Sequence, residues 1–301
     1  MDGAGANDEM TARNRDSRLP GHITRLLPQG WGALMGFWRM AFPHRLLSSA
    51  PLPALALALA CSLRLGAQVT EVPQTIEPGH FLVRMDAVSA GVKPDTSAPD
   101  QYKALAFGST IVSGGITDSL DFEVAAQLFI RDTYTVMGAN RTQSGIGDVS
   151  LRSKWTFWRD PDSHQAAAVI PYIKLPTNSN GVDNHFVEGG VILPWAMDVG
   201  AGVKAGAMLE WDELRNVADT RYDSRWYASG VVNWDLAGKV GAYVESTLSV
   251  STAGSSSFAG TAGGGATLAV SNNFRWDVEV SRVLGHGRSQ WLEVLRFNWK
   301  L

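Results

Sequence analysis

The sequence predicts a transmembrane antiparallel up-and-down β-barrel of about 12 strands, on three observations. From about His80 to Leu301, apolar and polar residues alternate with period two nearly throughout, the signature of strands whose two faces meet different surroundings. Most of these runs are ten to fourteen residues long; globular strands have a mode of about 5–6 residues, whereas a tilted bilayer crossing takes ~9–11. Short connections alternate with longer ones, as in outer-membrane barrels with tight turns at one end and loops at the other.

From the N terminus, residues 1–67 read as an extension followed by a signal peptide. In RLLSSAPLPALALALACSLRLGAQ, Arg45 precedes an apolar run over about 52–63. A spanning helix needs ~20 residues, so the run fits instead the roughly 7–15-residue apolar region of a secretory signal. Cleavage after Ala67 supplies the small residue such a site requires. Met35 and Met40 are alternative starts, and Cys61 follows Ala-Leu-Ala, a poor version of a lipoprotein signal. Residues 68–79 then read as a periplasmic N-terminal lead and 80–301 as the barrel.

The alternation places strands near 80–91, 102–115, 119–132, 146–158, 166–176, 185–196, 199–211, 224–236, 239–250, 260–271, 273–283 and 290–301. In LDFEVAAQLFIR, Leu120, Phe122, Val124, Ala126, Leu128 and Ile130 share one face, opposite Asp121, Glu123, Gln127 and Arg131. In FRWDVEVS, Phe274, Trp276, Val278 and Val280 oppose Arg275, Asp277, Glu279 and Ser281. TDS, RDPDSH, AMD, LAGK and SNN are the short turns; the segments around 92–101, 133–145, 177–184, 212–223 and 251–259 are the long loops. Trp155, Phe157, Trp195, Trp234, Trp276 and Trp299 fall near the short-turn end, and Trp211, Trp226 and Trp291 near the loop end, as two interfacial aromatic girdles would.

The final strand, EVLRFNWKL, puts Leu295, Phe297, Trp299 and Leu301 on the lipid side and Arg296, Asn298 and Lys300 inside, with Glu293 the one charge facing lipid. It resembles the C-terminal signal that the bacterial barrel-assembly machinery reads, although that signal ordinarily ends in Phe or Trp. Closure against the first strand leaves no unpaired backbone edge in hydrocarbon.

Composition excludes other classes. Charged residues make up 18% of the 301, below the roughly 25% of soluble domains. The seven Arg and four acids up to Ala67 leave 19 basic and 25 acidic residues of the 26 and 29, a net −6, the wrong sign for a nucleic-acid binder. The single Cys allows no internal disulfide. His80, His164, His185 and His286 are scattered, with neither HExxH nor Gly-x-Ser-x-Gly. No catalytic residue, cofactor or metal is therefore expected; His185 with Asp183 and Glu188 reads as a solvated loop cluster rather than a cation site. GTAGGGATL, 260–268, lacks the Lys-Ser/Thr of a phosphate loop, and its small residues suit packing across a barrel wall.

Two stretches carry a family resemblance. GIGDVSLRSKWTFW, 145–158, followed by AAAVIPYIKLPTNSNG, 166–181, resembles the paired strands of the family called "putative MetA-pathway of phenol degradation", Lys174-Leu175-Pro176-Thr177 being the most specific element. VEGGVILPWAMDVGAGVKAGAMLEW, 187–211, is similar to its next hairpin. The resemblance spans roughly 80–301 and implies a bacterial outer-membrane channel or transporter, often encoded beside genes for breakdown of aromatic compounds. It brings no catalytic residues.

Inward parity nominates Asp121, Glu123, Arg131, Asp148, Arg152, Lys154, Lys174, Lys204, Glu210, Arg225, Glu245, Arg275, Asp277, Glu279 and Arg296 as lumen-lining residues. One reading makes them a charged pore that selects solutes, with Asp277 and Glu279 facing Arg152, Lys154 and Lys174 across the ring. The other has opposite charges pair and fill the barrel, Asp121 and Glu123 meeting Arg152 and Lys154. The expected function is passive uptake of small, hydrophobic or aromatic solutes. The alternatives are a closed structural or surface-interaction barrel and an outer-membrane enzyme. The expected partners are outer-membrane lipid, the barrel-assembly machinery through the last strand, and a small-molecule solute, with no nucleic acid.

Overall fold

The computed structural model describes residues 69–92, 101–136, 139–183, 185–215, 221–251, 257–284 and 290–301. The extension and signal peptide read over 1–67 lie outside the described residues, as does His286.

Among the described residues thirteen strands follow in order: β1 Phe81–Val92, β2 Gln101–Thr117, β3 Leu120–Val136, β4 Ala139–Gly145, β5 Val149–Asp160, β6 Gln165–Leu175 and β7 Glu188–Gly200, then β8 Val203–Arg215, β9 Tyr222–Ala237, β10 Val240–Ser251, β11 Ser257–Ala269, β12 Phe274–Leu284 and β13 Gln290–Lys300. Neighbours in sequence pair antiparallel, except β4 with β5, and β13 returns to β1 from Leu82↔Lys300 to Val92↔Trp291. The ring is closed. β3 pairs with β5 through its first half, Leu120↔Trp155 to Ala126↔Val149, and with β4 through its second, Ile130↔Gly145 to Val136↔Ala139. β4 and β5 thus form one stave interrupted at 146–148, and the barrel has twelve staves, as the alternation predicts.

Several boundaries depart from the sequence reading, two of them most clearly. The segment 133–145, expected to be a loop, is the β3–β4 hairpin, in which the Thr133 and Thr142 hydroxyls lie 3.2 Å apart. The turn expected at 196–198 lies at 201–202. Gly200, Ala201 and Gly202 all adopt positive φ (89°, 54° and 75°), and the Asp198 carboxylate accepts the Gly200 N–H at 2.9 Å. Glycine populates that backbone region freely, so the chain reverses there and β7 runs on to Gly200.

The outer face is apolar. Phe122, Leu128, Trp155, Leu193 and Val244 are 48, 55, 52, 45 and 51% exposed. Trp211 and Trp226 pair at 6.4 Å between ring centres near the loop end, and Phe274, Trp276 and Phe297 cluster at the short-turn end. Glu293 sits opposite Val280 on this face, 5% exposed among its neighbours. Gly265 on β11 is required by packing, since a Cβ there would come within 2.5 Å of the Tyr243 ring. Soluble domains reverse this distribution; lipid outside and water inside impose it.

Candidate functional site

The inward face carries the charge. Asp121, Glu123, Asp148, Lys154, Glu245, Asp277 and Glu279 are each no more than 5% exposed. Arg152, Lys174, Glu210, Arg225 and Arg296 are half-buried, and Arg131, Lys204 and Arg275 are exposed.

The lumen is not empty. Residues 69–78, read from sequence as part of a periplasmic lead, run up the inside of the barrel from the short-turn end. Gly79 N–H donates to the Gly115 carbonyl at 3.0 Å, and the Thr75 hydroxyl to the Asp118 carbonyl at 2.6 Å. Ile76 N–H donates to both Asp121 carboxylate oxygens at 3.0 Å, and the Thr156 hydroxyl to the Pro73 carbonyl. Deeper in, the Glu245 carboxylate accepts the Val69 N–H (2.8 Å), the Thr70 N–H (2.6 Å) and the Thr70 hydroxyl (2.6 Å). Thr70 and Glu71 are 3 and 7% exposed. Buried backbone donors and acceptors demand partners, and here wall side chains supply them. Gly115 makes room for the crossing, because a Cβ there would lie 2.3 Å from the Glu77 carbonyl oxygen.

Glu71 is the centre of the network. Its carboxylate accepts from Arg84 Nη2 at 2.8 and 2.9 Å and from Arg152 Nη2 at 2.6 Å. Burial opposes its charge, but Arg152, Arg84 and Lys154 together hold the carboxyl well below the usual carboxylate range. Arg152 Nε and Lys154 Nζ meet Glu123 at 2.9 and 3.1 Å, and the Ser113 hydroxyl donates to the same group.

Other charges also find partners close at hand. Lys174 Nζ reaches Asp183 (2.6 Å), Glu188 (3.2 Å) and Asp148 (3.5 Å), so the acids beside His185 already hold an internal cation. Asp212 accepts from Tyr172 (2.6 Å) and from Arg225 Nη2 (2.7 Å). Arg296 pairs with Asp86, Arg275 with Asp277 (3.0 Å) and Lys204 with Asp235 (3.4 Å), and the Tyr243 hydroxyl donates to Glu279 at 2.8 Å. The transverse field expected between Asp277 and Glu279 on one side and Arg152, Lys154 and Lys174 on the other is therefore replaced by local pairs. Coulomb energy falls with distance and rises as water is excluded, so partners on adjacent staves win.

Sequence reasoning passed over Glu71, Arg84, Asp86 and Asp212. Arg84 and Asp86 share the parity of Leu82 in FLVRMD, which marks them as one face. Asp212 fell outside a strand expected to stop at Trp211.

Cavities remain inside, lined by the described residues. One of about 400 Å³ is bounded by Thr70, Glu71, Lys204, Asn233 and Arg275, and one of about 390 Å³ by Thr70, Arg84, Asn273, Arg296 and Lys300; both flank the lead toward the short turns. A third, about 320 Å³, lies toward the loops between Arg84, Asp86, Gln127, Lys174 and Asp183. Among the described residues no group of three His, Cys, Asp or Glu is placed to hold a metal ion.

Comparison with known proteins fits this architecture. An outer-membrane channel from Pseudomonas putida F1 superposes with a TM-score of 0.56 at 10% identity, covering 76% of this chain and 98% of that one. The NanC porin gives 0.47 at 12% identity (72% and 100% covered) and the CymD monoaromatic hydrocarbon channel 0.44 at 9% (75% and 88%). The search of curated proteins found none that matches. The first of these likenesses identifies the outer-membrane barrel fold. The family model described as "Putative MetA-pathway of phenol degradation" matches residues 90–301, most of the barrel, and the chain belongs to that family.

Proposed function

We propose that this outer-membrane barrel is a passive channel for small solutes. The observation that carries the reading is the interior: a wall of ionisable and hydroxyl side chains with cavities of about 320–400 Å³ on both sides of the Arg84 and Glu71 contact, inside an exterior suited to lipid. Aromatic compounds enter as candidate solutes through the family's description. Outer-membrane lipid is the partner of the apolar face, and the barrel-assembly machinery is the partner of β13. Many of the lumen carboxylates and cations pair with one another and the sequence holds no nucleophile–base motif, which supports a role other than catalysis.

Planar-bilayer recordings and solute flux into liposomes test the reading. Conductance steps and swelling with small solutes are expected; an intact barrel with neither would overturn it. A second reading, a closed structural barrel, draws on the buried lead and makes the opposite prediction in the same experiment.

A further inference from the structure

Unlike the charges of the staves, Glu71 belongs to the lead that threads the lumen. It hangs on a segment tied to the wall by side chains, and two guanidinium groups converge on its carboxylate at 2.6–2.9 Å. Guanidinium pairs of this kind recognise carboxylate solutes. With Glu71 removed, Arg152 and Lys154 would keep Glu123 while Arg84 would lose the carboxylate it grips, leaving an excess of positive charge on the wall. Immediately beside it the wall turns apolar. The Glu71 N–H points at Met208 Sδ, 3.4 Å away, and Met208 packs with Ile170 and Ile192 against Tyr172 and Tyr227. A carboxylate grip next to an apolar, aromatic-edged surface matches one solute chemistry, an aromatic ring bearing a single carboxylate. The guanidinium grip is reachable, because Arg84 lines cavities on both the loop side and the short-turn side of the lead, while Met208, Ile170 and Ile192, none more than 5% exposed, lie behind Glu71 and open only as it moves aside.

We propose that the junction of Arg84 and Arg152 with the Met208 surface is a transit site for aromatic monocarboxylates, kept closed by Glu71 as a ligand from the protein's own chain. The inference rests on the channel reading. A competing internal ligand lowers apparent affinity by the fraction of time the site is free, so a latch closed nine-tenths of the time costs about tenfold.

The test compares the full-length wild type with Glu71→Gln, of nearly identical shape but without the charge, in planar bilayers. Chloride current is recorded against rising benzoate, with acetate and benzyl alcohol as controls, and heat-modifiable gel migration verifies the barrel. Benzoate should block Glu71→Gln at a concentration about tenfold or more below that for wild type, and neither control should match it. Equal benzoate sensitivity in the two proteins, or equal block by acetate or benzyl alcohol, would overturn the site while leaving the channel reading standing. Absence of current from both proteins would sink the channel reading and this inference together. If Glu71→Gln does not assemble, Glu71→Asp, which keeps the charge but shortens its reach, should shift the benzoate block in the same direction by less; no shift would overturn the site.

Discussion

The last strand and the N-terminal lead are both extended, yet they are held in opposite ways. β13 is laddered along both edges, from Leu82↔Lys300 to Val92↔Trp291 on one side and from Phe274↔Trp299 to Val283↔Gln290 on the other. The lead makes one isolated bridge, Pro78 with Gly115, and otherwise leans on carboxylates and hydroxyls of the wall, notably Glu245, Asp121 and Thr156. Opening the ladder would strand backbone groups in hydrocarbon, at several kcal/mol each. Releasing the lead exchanges its hydrogen bonds for water in the lumen, which is nearly neutral for each bond. The wall is the frame, and the lead is the part whose release would leave no backbone group in hydrocarbon.

The sharpest way to break the comparison is to damage the frame alone. Leu128→Arg, on the outer face and 55% exposed, should lower barrel stability by ~2–4 kcal/mol in denaturant-driven unfolding from lipid vesicles, while Gln127→Arg on the inner face should cost far less. Similar losses from both would mean that the two faces do not meet different media.

Next comes the crossing point. Gly115→Val places atoms where the Glu77 carbonyl now lies, an overpacking of typically ~1–3 kcal/mol that the weaker partner relieves. The lead should become open to protease while heat-modifiable migration persists. Loss of the barrel together with the lead would show that the two fold as one unit.

Glu245→Gln should act in the same direction, removing a charged acceptor from the Val69 and Thr70 N–H groups at about 1–3 kcal/mol, read as higher conductance. The smallest effect is expected at Lys174. Lys174→Gln leaves Asp148, Asp183 and Glu188 without their shared cation and should move the reversal potential toward cations, most visibly near 0.01 M salt, where the Debye length is about 30 Å. An unmoved potential would place that cluster off the conduction path.

The frame was legible because each strand meets two media, and period two records them residue by residue. Asp121, Glu123, Lys154, Glu245 and Asp277 were nominated for the inner face by parity alone. Their partners were not, since pairing depends on which staves are adjacent and on a segment that no stave contains. VTEVPQTIEP, 69–78, shows neither sustained alternation nor a helical period; its burial comes from carboxylates far along the chain, Glu245 being 175 residues from Thr70. The turn after β7 was misplaced because AMD looks like a turn, whereas Gly200-Ala201-Gly202 supplies the positive φ values the reversal needs.

The claim that a detachable lead occupies the lumen is tested most directly by a tether. The Thr70 and Ser229 hydroxyl oxygens lie 2.7 Å apart across the lead–wall contact, and Cys61 is the sole native cysteine. In Thr70→Cys/Ser229→Cys, made with Cys61→Ala, single-channel conductance is recorded under oxidising conditions and again after reductant. The account predicts low, steady conductance when the bond is formed and larger, fluctuating conductance once it is reduced. A mass-verified disulfide that leaves the conductance trace unchanged on reduction would contradict it.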